Sequence, residues 1–312
     1  MSGAALRGAA GTPVSEGTII GRRPAGPGEA RRQAQRGRRA PSIAGAGGHQ
    51  LVTGVDFVPN RSLQGTDVIT LALDTSTRAG SVALRRDGVL IRAHVGAADV
   101  PHGGRLPADL LDLLAACDVS LPEVTLYAVA VGPGAFTGLR VGIATMQGFA
   151  FAHGRPLAGI SALEACAYAV QDDAAADDRP VVAAWADAAR GEVFTALFAR
   201  RPDRVLALID EPAVQSPQAT LARWATLVDA DGVLFAGDGA LRYEVMIRAV
   251  FEDRAVIVPR VPALANTIGE RAEAAAAQGL AGPPHAVRPL YVRRPDAELA
   301  RERGRQVSPS NP

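Results

Sequence analysis

The sequence predicts an α/β protein whose sheets mix antiparallel and parallel strands and whose body consists of two related subdomains. Three observations carry this. From about residue 68, apolar runs of strand character and helical periods follow in the order three strands, helix, strand, helix, strand, helix. Antiparallel strands that feed a parallel crossover make a mixed sheet with helices packed on it. Second, Val131-Gly132-Pro133-Gly134-Ala135-Phe136-Thr137-Gly138-Leu139-Arg140 lies directly between an apolar strand and a helix rich in small residues. So many glycines and prolines fix backbone shape where something must approach closely. Third, both halves open with strands joined by a polar turn containing an aspartate, Asp74 and Asp187. That makes a duplicated fold plausible without demonstrating it.

The elements follow in chain order. Val68–Asp74 and Ser81–Arg86 are strands, and Val89–Val95 adds a third across an Arg86-Asp87-Gly88 turn, since Asp-Gly favours tight hairpins. Gly104–Cys117 is helical, with Leu106, Leu110, Leu113 and Leu114 on one face. Leu126–Val131 is a buried strand, followed by the glycine loop and a helix to about Phe151. Arg155–Gly159 leads into a short strand. Ser161 caps the next helix, with Glu164 three residues on completing a capping box. Asp172–Arg179 is a polar break and the expected boundary between subdomains at 68–171 and 180–294. The second subdomain has strands at Val181–Trp185, Glu192–Phe198 and Val233–Ala236. Its helices fall at about Gln218–Val228, Ala240–Val250 and Leu264–Gln278. Pro283-Pro284 ends regular structure, Arg288–Arg293 is extended and lies back on the body, and 295–312 is a tail.

Composition separates a basic extension from this body. Residues 1–64 hold nine Arg and three acidic residues, and the rest hold 24 Arg and 29 acidic residues, so a net charge of +1 conceals +6 beside −5. The extension has no sustained apolar period and reads as disordered. It is a solvated or mis-started segment, an arm that attracts nucleic acid through Arg31, Arg32, Arg36, Arg38 and Arg39, or a transit-type segment. It lacks the apolar core of a secretory signal, and no later run is long enough to span a membrane. Cys117 and Cys166 both fall on apolar helical stretches and read as buried small hydrophobes in a reducing compartment. The chain contains no lysine, which removes the P-loop lysine and any Schiff-base chemistry.

Candidate chemistry is sparse. Asp74-Thr75-Ser76-Thr77 crowds a carboxylate and three hydroxyls into one turn. Such a turn can hold a magnesium–phosphate group, or it can satisfy its own backbone as an Asx or Ser/Thr turn. No glycine between Asp74 and Arg78 lets phosphates approach the backbone. Gly237-Asp238-Gly239 resembles a nucleotide-contacting turn only weakly. The five histidines, His49, His94, His102, His153 and His285, form no local cluster, so no metal site is expected. No Gly-x-Ser-x-Gly elbow marks a nucleophile, so no catalytic residue is assigned. The structural loop is assigned to Gly132, Pro133, Gly134, Phe136, Thr137 and Arg140. Its N–H groups can cradle an anion before the helix. Alternatively, Gly138, Gly142, Thr145, Gly148 and Ala152 thin the helix so that another helix backbone packs closely, at an interface or within a tight core. On that second reading Gly138, Leu139, Gly142, Ile143 and Met146 form a partner interface, and Arg140 anchors a partner carboxylate.

These residues resemble a known family. Ile69–Thr77, the Gly-Pro-Gly-x-Phe-Thr-Gly-Leu-Arg run of Gly132–Arg140 and Asp187-Ala188-Ala189-Arg190-Gly191-Glu192-Val193-Phe194 are similar, in order, to motifs of the TsaB (YeaZ) family. That family serves the threonylcarbamoyladenosine modification of tRNA. The resemblance runs from about Val68 to Arg294 and implies an actin-like ATPase (ASKHA) fold. It also implies a noncatalytic assembly subunit that pairs with the catalytic TsaD and, with it, recruits the ATPase TsaE. It further implies contact with tRNA through the complex, homodimerisation when alone, and a cytoplasmic location. No cofactor is expected to be tightly bound; ATP and magnesium belong to the assembled complex. Asp74, Thr75 and Ser76 are what would remain of a nucleotide site. The His-x-x-x-His metal motif of TsaD matches His102-Gly103-Gly104-Arg105-Leu106 here, so only the first histidine is kept. Ala135 stands where the family usually has serine, and Ala189 where arginine normally follows the aspartate-alanine pair. Residues before Val68 have no counterpart, which a start codon assigned too far upstream would explain. The competing readings are a small-molecule kinase or ATPase of the same fold class and, against the single histidine, a metallopeptidase.

Overall fold

Two five-stranded sheets of identical topology organise the protein. The computed structural model describes residues 67–173, 179–228 and 232–293. The extension at 1–64, the tail at 295–312 and part of the polar break at 172–179 lie outside them. In the first sheet, β1 (Ile69–Asp74), β2 (Ser81–Arg86) and β3 (Val89–Val95) form an antiparallel meander. β4 (Leu126–Gly132) then pairs parallel with β1, and β5 (Leu157–Ser161) parallel with β4. The order is β3-β2-β1-β4-β5. The second sheet repeats it: β6 (Val181–Asp187), β7 (Val193–Arg200) and β8 (Leu206–Gln215) meander, and β9 (Val233–Ala236) and β10 (Ala255–Ile257) add in parallel on the far side of β6. The order β8-β7-β6-β9-β10 matches the first sheet strand for strand. The duplication hinted at by two aspartate turns is therefore present in the topology, and it is the architecture of the actin-like ATPase class.

Helices cover both faces of each sheet. The outer face of the first sheet, through Ile69, Leu71, Leu73, Tyr127 and Val129, packs on α1 (His102–Ala115) and α2 (Phe136–Ala152). The outer face of the second buries Trp185 and Phe235 against Trp224 of α4 (Pro217–Leu227) and Phe251 of α6 (Glu244–Phe251), with α5 (Asp238–Arg242) between β9 and α6. Between the sheets lie α3 (Ala162–Val170) and α7 (Ala265–Ala277). The facing strands carry small residues there, Ala72, Ala83, Ala128 and Ala130 on one sheet and Ala184, Ala196 and Ala236 on the other. Small side chains let the helices sit close, as at Gly269 of α7, where an added Cβ would lie 2.6 Å from Arg85 Cδ. α7 follows the second sheet in sequence but packs on the first, while α3 follows the first and packs on the second. Each half thus supplies the inner helix of the other.

Element ends differ slightly from the sequence reading: α1 starts at His102, and 238–251 is two helices rather than one. Ser161 caps α3 by accepting from Glu164 N–H at 3.4 Å. Two strands had no counterpart in that reading. β8 carries Asp210, Glu211 and Pro212 on an edge, where burial does not impose alternation, and β10 has only three residues.

Candidate functional site

The two sequence features with the strongest signal meet in space. β1 ends at Asp74, and the chain bends tightly through Thr75, Ser76 and Thr77 before β2. Asp74 Oδ1 accepts from Ser76 N–H at 2.8 Å and from the Ser76 hydroxyl at 2.6 Å, so the Asx-turn reading holds. The glycine loop lies directly on this turn. Ala135 N–H donates to Ser76 O at 2.9 Å. A Cβ on Gly134 would sit 2.5 Å from Ser76 O, one on Gly138 2.5 Å from Thr75 O, and one on Gly142 would collide with the Thr75 hydroxyl. These glycines admit the chain's own turn.

This corrects the partner-interface assignment of Gly138, Leu139, Gly142, Ile143 and Met146. All five are buried in the protein itself, Leu139 at 3%, Ile143 at 4% and Met146 at 0% exposure. The small-residue logic was sound, but the close neighbour is β1–β2 rather than a second protein. The anion cradle is likewise filled by the Thr75–Ser76 backbone. The outward face of α2 carries Ala144, Gly148 and Phe151 instead; Gly148 has open space around its Cα, and Phe151 is 81% exposed. At the start of α2, Phe136 and Arg140 are exposed, with the Arg140 guanidinium 3.9 Å from the Phe136 ring centre. Thr137 is exposed, whereas Gly132 and Pro133 are buried.

His102 is committed to structure. Arg105 Nη2 lies 3.1 Å from its Nδ1, and a guanidinium only donates, so Nδ1 is the acceptor and Nε2–H donates to Thr77 O at 2.9 Å. Both ring nitrogens are used. Arg105 also binds Ala79 O and pairs with Asp109, which fastens α1 to the turn. Sequence reasoning passed over Arg105, whose signal is its place three residues after His102 on the same helix face. Among the described residues, no three or more His, Cys, Asp or Glu side chains gather where they could hold a metal.

The second half repeats the arrangement at the mirror position. β6 ends at Asp187, and Gly237 after β9 has φ +110°, as Gly132 at the end of β4 has φ +107°. Asp238 Oδ1 accepts from Asp187 N–H and Gly239 N–H, each at 2.9 Å, and Asp187 pairs with Arg242 at 2.9 Å. A narrow cleft of about 40 Å³ lies between the halves, lined by Ser76, Pro133, Gly134, Cys166, Asp187 and Asp238 among others. Burial raises the Asp74 carboxyl above its ordinary value, against the Ser76 hydrogen bonds. Burial raises Asp238 too, with the Asp187 charge adding to it. The Cys166 thiol is pushed up to about 12 by burial and the carboxylates around it, so it stays protonated. At this turn Asp74 Oδ1 is taken by Ser76, and Gly134 and Gly138 pack onto the Ser76 and Thr75 carbonyls.

The comparisons with known proteins agree with this geometry. The family model described as TsaD, tRNA N6-adenosine threonylcarbamoyltransferase, matches residues 97–302. The Escherichia coli protein named tRNA threonylcarbamoyladenosine biosynthesis protein TsaB is 34% identical over 157 residues, which is 50% of this chain and 66% of that protein. The Bacillus subtilis TsaB is 28% identical over 239 residues, spanning 73% of this chain and 95% of its own length. The solved structure of YeaZ from Pseudomonas aeruginosa is 30% identical with a TM-score of 0.61, and the match covers 72% of this chain and 99% of that one. An actin-like duplication, a Gly-Pro-Gly loop seated on the β1–β2 turn, and relatives matched nearly end to end place this chain in the TsaB (YeaZ) family.

Proposed function

We propose that this chain is a noncatalytic subunit that pairs with a TsaD-type enzyme in forming threonylcarbamoyladenosine in tRNA. The observation that carries the reading is the Asp74–Ser76 turn, covered by Gly134 and Gly138 where a phosphate-binding member of the fold class would need open backbone. A fold that keeps its ATPase frame but fills the phosphate turn is suited to binding a related subunit. ATP and magnesium then act in the assembled complex, with a TsaE-type ATPase and tRNA joining it, in the cytoplasm. No helix among the described residues is long and apolar enough to cross a membrane. The outward face of α2, with Ala144, Gly148 and Phe151, is the seat we assign to the partner, and to a second copy when the partner is absent.

The test is a titration of the purified chain against its TsaD-type subunit. Gly148→Leu should weaken binding about tenfold or more without lowering the melting temperature, since the site is open and leucine favours helix over glycine. Failure of the wild-type chain to bind would sink the proposal, and unchanged affinity in the variant would sink the assigned seat. The cleft shared by both halves, with Asp187 and Asp238 at its wall, supports a second reading as a small-molecule kinase or ATPase. Hydrolysis by the chain alone should stay near background. A turnover of about 1 s⁻¹ that Asp74→Ala abolishes would favour that second reading.

A further inference from the structure

The segment Leu290–Arg293 crosses from one half of the protein to the other within four residues. At its start Leu290 N–H donates to Val131 O of β4 at 2.8 Å. Tyr291 follows: its hydroxyl accepts from Arg140 Nε at 2.8 Å and its ring lies 5.7 Å from Phe136. Val292 packs against the apolar cluster between the sheets. Arg293 then reaches the β6–β7 turn, donating to Ala188 O at 2.9 Å, pairing with Glu192, and placing its guanidinium 5.6 Å from the Phe194 ring.

Both ends of this segment land at the cleft's lip. Val131 and Arg140 flank Pro133 and Gly134, and Ala188 follows Asp187; Pro133, Gly134 and Asp187 all line the cleft. The turn held by Arg293 is also strained. Ala189 and Arg190 have φ of +57° and +56°, and Gly191 follows at +77°. Side chains disfavour that region, so consecutive non-glycine residues persist there only when their surroundings hold them. Two turn hydrogen bonds, Ala188 N–H to Glu192 O and Glu192 N–H to Ala189 O, both at 3.0 Å, close the turn that Arg293 clasps from outside.

We propose that Leu290–Arg293 is a clasp that sets the opening between the halves and couples the exposed Phe136–Arg140 corner to the strained Asp187–Glu192 turn. Whatever engages Phe136 or Arg140 competes with Tyr291 for the same groups. Withdrawal of Tyr291 pulls on Arg293 two residues later and frees the turn to relax. The clasp needs no assumption about partner or substrate, so it stands or falls apart from the functional reading above.

Hydrogen–deuterium exchange on the full chain tests it, because the Ala188 and Glu192 amides report the turn directly. Arg293→Ala should speed exchange across 187–193 about tenfold or more, while the sheet interiors keep their protection. Tyr291→Ala should speed exchange at both 136–140 and 187–193, and Tyr291→Phe, which keeps the ring, less than Tyr291→Ala. Higher salt should speed exchange of the turn in the wild type and have little effect in Arg293→Ala, since Arg293 and Glu192 are partly exposed. Unchanged exchange at 187–193 in Arg293→Ala, or an equal rise over the whole chain, would overturn the clasp. A Tyr291→Ala effect confined to 136–140 would overturn the coupling.

Discussion

Gly142 and Gly148 lie less than two turns apart on α2, yet their surroundings are opposite. An added methyl at Gly142 meets the buried Thr75 side chain, whereas at Gly148 it meets nothing. Gly142→Ala should therefore destabilise the protein by about 1–3 kcal/mol through overpacking, even after the better helix propensity of alanine is counted. Gly148→Ala should stabilise it by up to about 1 kcal/mol. Urea denaturation of the two variants checks the contrast, and equal effects would mean the helix is rotated from the orientation described. At this scale the sequence was informative about kind and silent about direction. Clustered glycines announce close approach, but α2 is apolar or small nearly all round, so no polar stripe marked which face turns inward. Asp74 was legible as an Asx turn because Ser76 follows at the right spacing. Arg105 was missed because a buried arginine is recognised by its partners, and Ala79 O lies far from it in sequence.

α7, one of the two helices between the sheets, is tied to the first sheet by a buried ion pair. Arg85 of β2 donates to Glu273 of α7 at 3.0 Å, with side-chain exposures of 5% and 15%, and also to Asn266 and Gly88 O. Removing one partner strands the other charge in a poorly solvated place. Glu273→Ala should thus cost about 3–5 kcal/mol, while Arg85→Met with Glu273→Leu should recover much of that loss. The measurement is chemical unfolding of both variants, and a double variant no more stable than the single one would show that the pair is favourable in itself. Elements were readable wherever both faces of a strand are buried or a leucine stripe repeats, as in β1, β4 and α1. β8 was not, because its edge position leaves Asp210, Glu211 and Pro212 where they break the pattern. The exchange of α3 and α7 between halves depends on contacts between distant segments, which no local period records.

Two carboxyls, the part-buried Asp238 in the cleft wall and the buried Asp74 two residues from the wall residue Ser76, make a prediction that belongs to the molecule as a whole. Asp74 comes from the first half and Asp238 from the second, and burial raises the pKa of each above 3.8. In the unfolded chain both titrate near that value. Between it and the raised native values, the folded protein therefore binds more protons than the unfolded one. Stability contributed by these two groups must then fall as pH rises through that window, and it is constant below and above it. The sign is opposite to that of a salt-bridged aspartate. Replacing both with asparagine keeps an oxygen to accept from the Ser76, Asp187 and Gly239 N–H groups but removes the titration. Urea unfolding of the wild type and the Asp74→Asn, Asp238→Asn double variant, run from about pH 4 upward, isolates the effect as a difference in which the other carboxylates cancel. The wild type should lose stability relative to the variant as pH rises and then run parallel to it. Curves parallel from the lowest pH would mean that the two carboxyls are better solvated than their burial implies.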